Sequence, residues 1–156
     1  MRWQQGRGRV EDMLRAGQLE RVPPSREHAE RLLTQARAHL RLATAGDAPE
    51  IDPVGAYQLV YDAARKALAA ILENQGLRTT SRGGHIAVLD ALRAQLDPPM
   101  GATLRPFDRM RRMRNDAEYP KDDKPPATAD DVRRDHANAV AFIELAARVL
   151  DEMSPF

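Results

Sequence analysis

The chain reads as an all-α protein, an up-and-down bundle of four to five helices. Apolar residues recur every three to four positions through most of its 156 residues, and no stretch sustains the alternation of a strand. Short connections rich in proline, glycine and capping residues separate the periodic segments, as antiparallel helical neighbours require.

Each element follows from local signals. Residues 9–21 carry Val10, Met13, Leu14 and Leu19 at amphipathic spacing. Pro23-Pro24 breaks the chain, and Ser25 is placed to cap a helix whose apolar face runs through Ala29, Leu32, Leu33, Ala36, Leu40 and Ala43. After the loop GDAPEID, Asp52-Pro53 pairs an N-cap with proline at the first helical position. Tyr57, Val60, Tyr61, Ala64, Leu68, Ile71 and Leu72 then form the clearest stripe in the sequence, closed by Gly76. HIAVLDALRAQL predicts a shorter helix ending before Pro98-Pro99, and a further helix is expected over roughly 103–118. KDDKPPA is a charged, proline-broken connector. Thr128 caps a last helix that turns Val132, Val140, Ile143, Ala147 and Leu150 inward. Residues 1–8 are expected to be a flexible arm, 9–152 a single helical domain, and 153–156 a tail.

Composition removes several function classes. There is no cysteine, which excludes disulfide frameworks, thiolate nucleophiles and cysteine zinc sites. No apolar run approaches the ~20 residues that span a bilayer, and MRWQQGRGRVED lacks the apolar core of a signal peptide. No membrane association and a cytoplasmic location are the resulting expectations. The net charge is +1, and 21 of the 24 basic residues are arginine, since lysine occurs only at 66, 121 and 124. With abundant alanine, that bias suits a GC-rich bacterial genome and weakens any argument from arginine number alone.

The candidate site comes from RMRRMRNDAEYP, residues 109–120. On a wheel of about 100° per residue, Leu104, Phe107, Met110, Met113 and Ala117 share one half. Arg105, Arg109 and Arg112 occupy the opposite half, a stripe that could track a phosphate backbone or simply face solvent. Arg111 lies near the edge. Arg114 falls close to the middle of the apolar arc, where a permanent charge is costly unless paired. Glu118, one turn on, can pair with it and Asn115 can orient it. Arg114 is thus either half of a buried structural ion pair or a phosphate ligand at a polar opening in the bundle.

Histidines are the other carriers of chemistry. His136 shares the register of Val132, Val140 and Ile143 and is expected to face inward. His85 follows Gly83-Gly84 at a helix N-terminus, where amides and dipole favour anions and depress a histidine pKa. Neither His28 nor His39 has a partner visible in sequence. No spacing of His, Asp and Glu suggests a metal site, and no cofactor is indicated.

AYQLVYDAARKALAAILENQGL, RGGHIAVLDAL and FDRMRRMRNDAEYP together resemble the HEPN (higher eukaryotes and prokaryotes nucleotide-binding) superfamily, in its bacterial toxin–antitoxin branch. The resemblance covers roughly residues 9–152. It implies a four- to five-helix bundle, a homodimer, binding of RNA or a nucleotide, and a nucleotidyltransferase-type antitoxin as partner. Many such proteins are metal-independent RNases whose site is an arginine, then four to six residues, then a histidine. Arg114-Asn115 matches the opening of that motif. At 119–121 the chain has Tyr119, Pro120 and Lys121, with no histidine, which argues against RNase activity of the ordinary kind. The resemblance thus implies a site of Arg114, Asn115, Glu118 and Tyr119, and the basic residues around it, Arg105, Arg109, Arg111 and Arg112, are the candidate nucleic-acid contacts. The alternative is a non-catalytic dimeric module that binds a partner protein. A third reading, weaker than both, makes His136 or His85 the base of an enzyme.

Overall fold

The centre of the molecule is one long helix against which most of the other elements pack. In the computed structural model, which describes residues 3–156, this is α4 (Pro53–Gln75). It packs along α2 (Arg26–Ala43) on one side and α8 (Ala129–Val149) on another, with α5 (Gly84–Leu96) and α7 (Pro106–Glu118) completing the surround. Shorter pieces are α1 (Arg7–Arg15), α3 (Ala48–Ile51) and α6 (Gly101–Leu104). The fold is an all-α bundle. No helix among the described residues is long and apolar enough to cross a membrane.

The helix ends obey the local signals. Ser25 Oγ accepts from the His28 amide at 3.0 Å and Asp52 Oδ1 from the Gly55 amide at 2.9 Å. Gly76 ends α4 in the left-handed conformation, φ 83°, which a side chain would resist. Thr128 and Asp131 form a reciprocal capping box at the start of α8.

Besides the short turn α3, which lies inside the expected loop GDAPEID, three features depart from the sequence reading. Leu19–Arg21 and Leu77–Thr79 pair as a short antiparallel ribbon, β1 and β2, with Glu20 opposite Arg78. Three residues are too few to show strand alternation. The helix expected over 103–118 is two, because Pro106, with no amide proton to give, starts α7 afresh after α6.

The third is the docking of both chain ends. The expected arm spans residues 1–8, of which 1 and 2 lie outside the described residues. Trp3 is partly buried against the core and donates from Nε1 to the Gln95 carbonyl at 3.1 Å, and α1 begins already at Arg7. In the expected tail, Met153 is buried and the Phe156 amide donates to the Gln75 carbonyl at 2.9 Å. Arg7 stacks over the Phe156 ring at 4.7 Å.

The core is continuous from Val10 to Met153 and rich in alanine along α4, which lets α2 and α8 approach closely. One polar device crosses it. The buried amides of Gln75 and Gln95 exchange hydrogen bonds at 2.6 and 3.2 Å, tying the end of α4 to the end of α5.

Candidate functional site

Two tyrosines one turn apart on α4, Tyr57 and Tyr61, organise the polar chemistry of the bundle. Both rings are buried, and their hydroxyls lead to different surroundings.

Tyr57 Oη donates to Asp135 Oδ2 at 2.7 Å. Asp135, on α8, is fully buried, yet it is saturated. Arg109 of α7 donates to both carboxylate oxygens at 2.9 and 2.7 Å, Arg134 at 3.0 Å and Asn138 at 2.9 Å. Burial alone would push the carboxyl up, but the hydrogen bonds from Arg109, Arg134, Tyr57 and Asn138 outweigh it and hold Asp135 well below the usual carboxylate range. Burial and the adjoining carboxylate push the Tyr57 phenol far up. Arg109 therefore leaves the solvent stripe that the wheel gave it. Its long side chain reaches across to α8, while Arg105 and Arg112 remain exposed.

Tyr61 opens instead into a pocket of about 400 Å³ lined by Gln58, Asp62 and Arg65 of α4, His85 of α5 and Arg114 of α7. Its hydroxyl lies 2.8 Å from His85 Nδ1. The ring packs on Phe107, 5.6 Å between centroids, and through Phe107 on Phe142, so the pocket floor is anchored in the core. Gly83 and Gly84 place the histidine. A Cβ at Gly83 would meet the Gln18 carbonyl oxygen at 2.3 Å, and Gly84 turns the chain at φ 61° into α5.

The pocket is cationic and its titrating groups are displaced. Arg114 stacks over the Tyr61 ring at 5.9 Å, pairs with Glu118 and lies 3.5 Å from Asn115 Oδ1. Arg65 donates to Asp62 at 2.6 and 3.1 Å, and Lys66 Nζ lies 3.1 Å from the other oxygen of the same carboxylate. For Asp62, burial raises the pKa, but the hydrogen bonds from Arg65 and Lys66 prevail and keep it low. Burial, with Arg65 and Arg114 nearby, lowers the pKa of His85, so the imidazole is neutral at physiological pH. Tyr61 is pushed up to about 12 by burial, against the pull of the arginines, and stays a neutral phenol.

Among the expected site residues, then, Arg114, Asn115 and Glu118 are brought together, but the Arg114 side chain is 29% exposed and that of Glu118 37%, so theirs is no buried ion pair. Arg114 instead lines an open pocket. Tyr119, 69% exposed at the end of α7, is not part of the pocket lining. Arg111 pairs with Asp108 at 2.8 Å, and Arg112 with the same carboxylate at 3.2 Å. His136 does not face inward: the buried face of α8 runs through Val132, Asp135, Ala139 and Phe142, one residue away, and leaves His136 half-buried at a groove beside Leu40 and Val140.

Sequence reasoning did not find Tyr61, Arg65 and His85 as partners of Arg114, although the glycine pair before His85 was a signal for that residue. Among the described residues, no group of three or more His, Asp or Glu is placed to hold a metal ion. No protein-family model, curated protein or solved structure matches the chain.

Proposed function

We propose that the chain is a HEPN-like RNA- or nucleotide-binding protein of a bacterial toxin–antitoxin or defence-type system, acting in the cytoplasm as a homodimer opposite a nucleotidyltransferase-type antitoxin. The observation that carries this reading is the convergence of Arg65, Arg114 and His85 on one open pocket. A guanidinium has five donors in a fixed fork, and its carboxylate partner occupies only part of them. Asp62 and Glu118 therefore orient Arg65 and Arg114 without exhausting them, which is the arrangement a phosphate ligand needs. Arg111, near enough to bias Tyr61 and His85, adds to the positive potential.

The dimer has a candidate surface beside the pocket. Leu42 and Ile51 are 61% and 75% exposed and border a shallow apolar depression that shares Gly55 and Leu59 with the phosphate pocket. A two-fold axis through this patch would bring two pockets near one another. The same patch favours the second reading, a non-catalytic module that docks a partner protein.

The test is a titration of a short single-stranded RNA and of a free nucleotide against wild type and Arg114→Ala, beside light scattering. A mass twice 17.4 kDa and at least tenfold weaker RNA or nucleotide binding by the variant are expected. A dimer that binds neither ligand would favour the interaction module, and a monomer would remove the dimer from both readings.

A further inference from the structure

We propose that the seam between α2 and α8 is a docking groove for an amphipathic helix of a partner protein, one that carries two acidic residues a turn apart beside its apolar stripe. The groove is built from other elements than the phosphate pocket, and the inference goes beyond the reading of that pocket.

The seam is left by the way the bundle packs. α2 and α8 each lie along α4 and touch one another much less, so a trough remains between them. Its volume is about 530 Å³, larger than the phosphate pocket, and no residue of α4 lines it. Leu40 of α2 and Ile143 of α8 are buried in it, while Val140 and Ala147 of α8 stay partly exposed. Val140, Ile143 and Ala147 keep the spacing of one helix face and extend about 10 Å along α8.

The rims of the trough are charged and unpaired. Arg37 and Arg41 stand one turn apart on α2, about 6 Å along its axis, and both are exposed. Earlier on the same helix, Arg26 pairs with Glu30 and Asp151, and Arg31 with Glu27. After Glu30, α2 has no acidic residue, and among the described residues neither Arg37 nor Arg41 has an ion pair or a hydrogen bond from its side chain. On the α8 rim, Glu144 is exposed and likewise unpaired.

The chemistry of the occupant follows from these walls. Both are helices whose backbone groups are already bonded, so an extended strand finds no edge to pair with, whereas a helix satisfies its own amides. A small apolar molecule in a trough open along one side would keep much of its surface in water. A helix with apolar side chains at i, i+3, i+4 and i+7 covers Val140, Ile143 and Ala147. Acids one turn apart on its flank match the spacing of Arg37 and Arg41. A basic residue on the other flank meets Glu144, and the opposite signs of the two rims fix the direction in which the helix runs.

The experiment uses the full chain and a fluorescent peptide of about 15 residues, long enough to hold a helix, with a leucine stripe at those positions and two glutamates one turn apart beside it. Wild type should bind it with a micromolar Kd, and should bind the same peptide with lysines for the glutamates at least tenfold more weakly. The double variant Arg37→Glu, Arg41→Glu changes only exposed side chains and should melt like wild type. Its preference should reverse, with the lysine peptide now held at least tenfold more tightly than the glutamate one. Ala147→Gln, which fills the floor and leaves the rim charges in place, should weaken both peptides alike. Equal affinity of wild type for the two peptides, no binding of either, or an unchanged preference in the double variant would overturn the proposal. So would a dimer that the double variant turns into a monomer, which would give the trough to a second copy. Binding of phosphatidylglycerol vesicles in place of the peptide would give it to a membrane surface and overturn the proposal as well.

Discussion

Tyr57 and Tyr61 stand one turn apart on α4 and are both buried, the first linked to Arg109 of α7 through Asp135 and the second lying under Arg114 of α7, yet they belong to different kinds of site. At Tyr57 the polar atoms are used up: Asp135 receives five hydrogen bonds from Tyr57, Arg109, Arg134 and Asn138. At Tyr61 they are not, since Arg65, Arg114 and His85 border open space and keep hydrogen-bonding capacity for something else. Saturation marks polar chemistry that holds the bundle together, and unfilled capacity beside a cavity marks chemistry available to a ligand. An arginine on a buried-looking stripe is therefore weak information until its partners are known.

The largest effect separating the two regions is on stability. Asp135→Ala strands the Tyr57 hydroxyl and scatters two guanidinium groups, and should cost about 3–5 kcal/mol in chemical denaturation. A loss under 1 kcal/mol would mean that the Asp135 network is ornamental.

Acid should act on the same region. Because the folded-state pKa of Asp135 is depressed, its contribution is present above the unfolded carboxylate value of about 3.9 and is lost as pH falls below that toward the folded value. Wild-type melting temperature should therefore drop steeply below about pH 4, and Asp135→Asn, already destabilised, should drop less. Parallel acid profiles for the two proteins would assign acid sensitivity elsewhere.

The smallest effects are expected at residues outside both networks. Tyr119→Ala and His136→Ala should each change stability by no more than about 0.5 kcal/mol and leave RNA or nucleotide binding where it was. Binding lost in His136→Ala would move the ligand site to the groove between α2 and α8.

What the sequence made legible was local. Ser25, Asp52, Gly76 and Thr128 act on neighbours within three or four residues, so their caps could be read directly. Arg114 was singled out by helical phase, which is also local. Phase misled wherever a long side chain or a small offset mattered. Arg109 starts on the solvent side but is long enough to reach Asp135, 26 positions away, and a one-residue rotation of α8 exchanges Asp135 for His136 as the inward residue. The contact of His85 with Tyr61 spans 24 positions and depends on how α5 is laid against α4, which no periodicity encodes. Hence the fold class could be read from the chain, whereas the candidate site needed the packing.

The central claim, that the α7 arginines divide into structural and ligand-binding members, is tested most directly by carrying Arg109→Ala and Arg114→Ala through the same thermal melt and the same RNA titration. Arg109→Ala should lose about 1.5–3 kcal/mol, the worth of hydrogen bonds to a buried charge, and bind RNA normally while folded. Arg114→Ala breaks a half-exposed ion pair, should lose at most about 1 kcal/mol, and should bind RNA at least tenfold more weakly. An Arg114→Ala protein that melted early and bound RNA like wild type would contradict the claim.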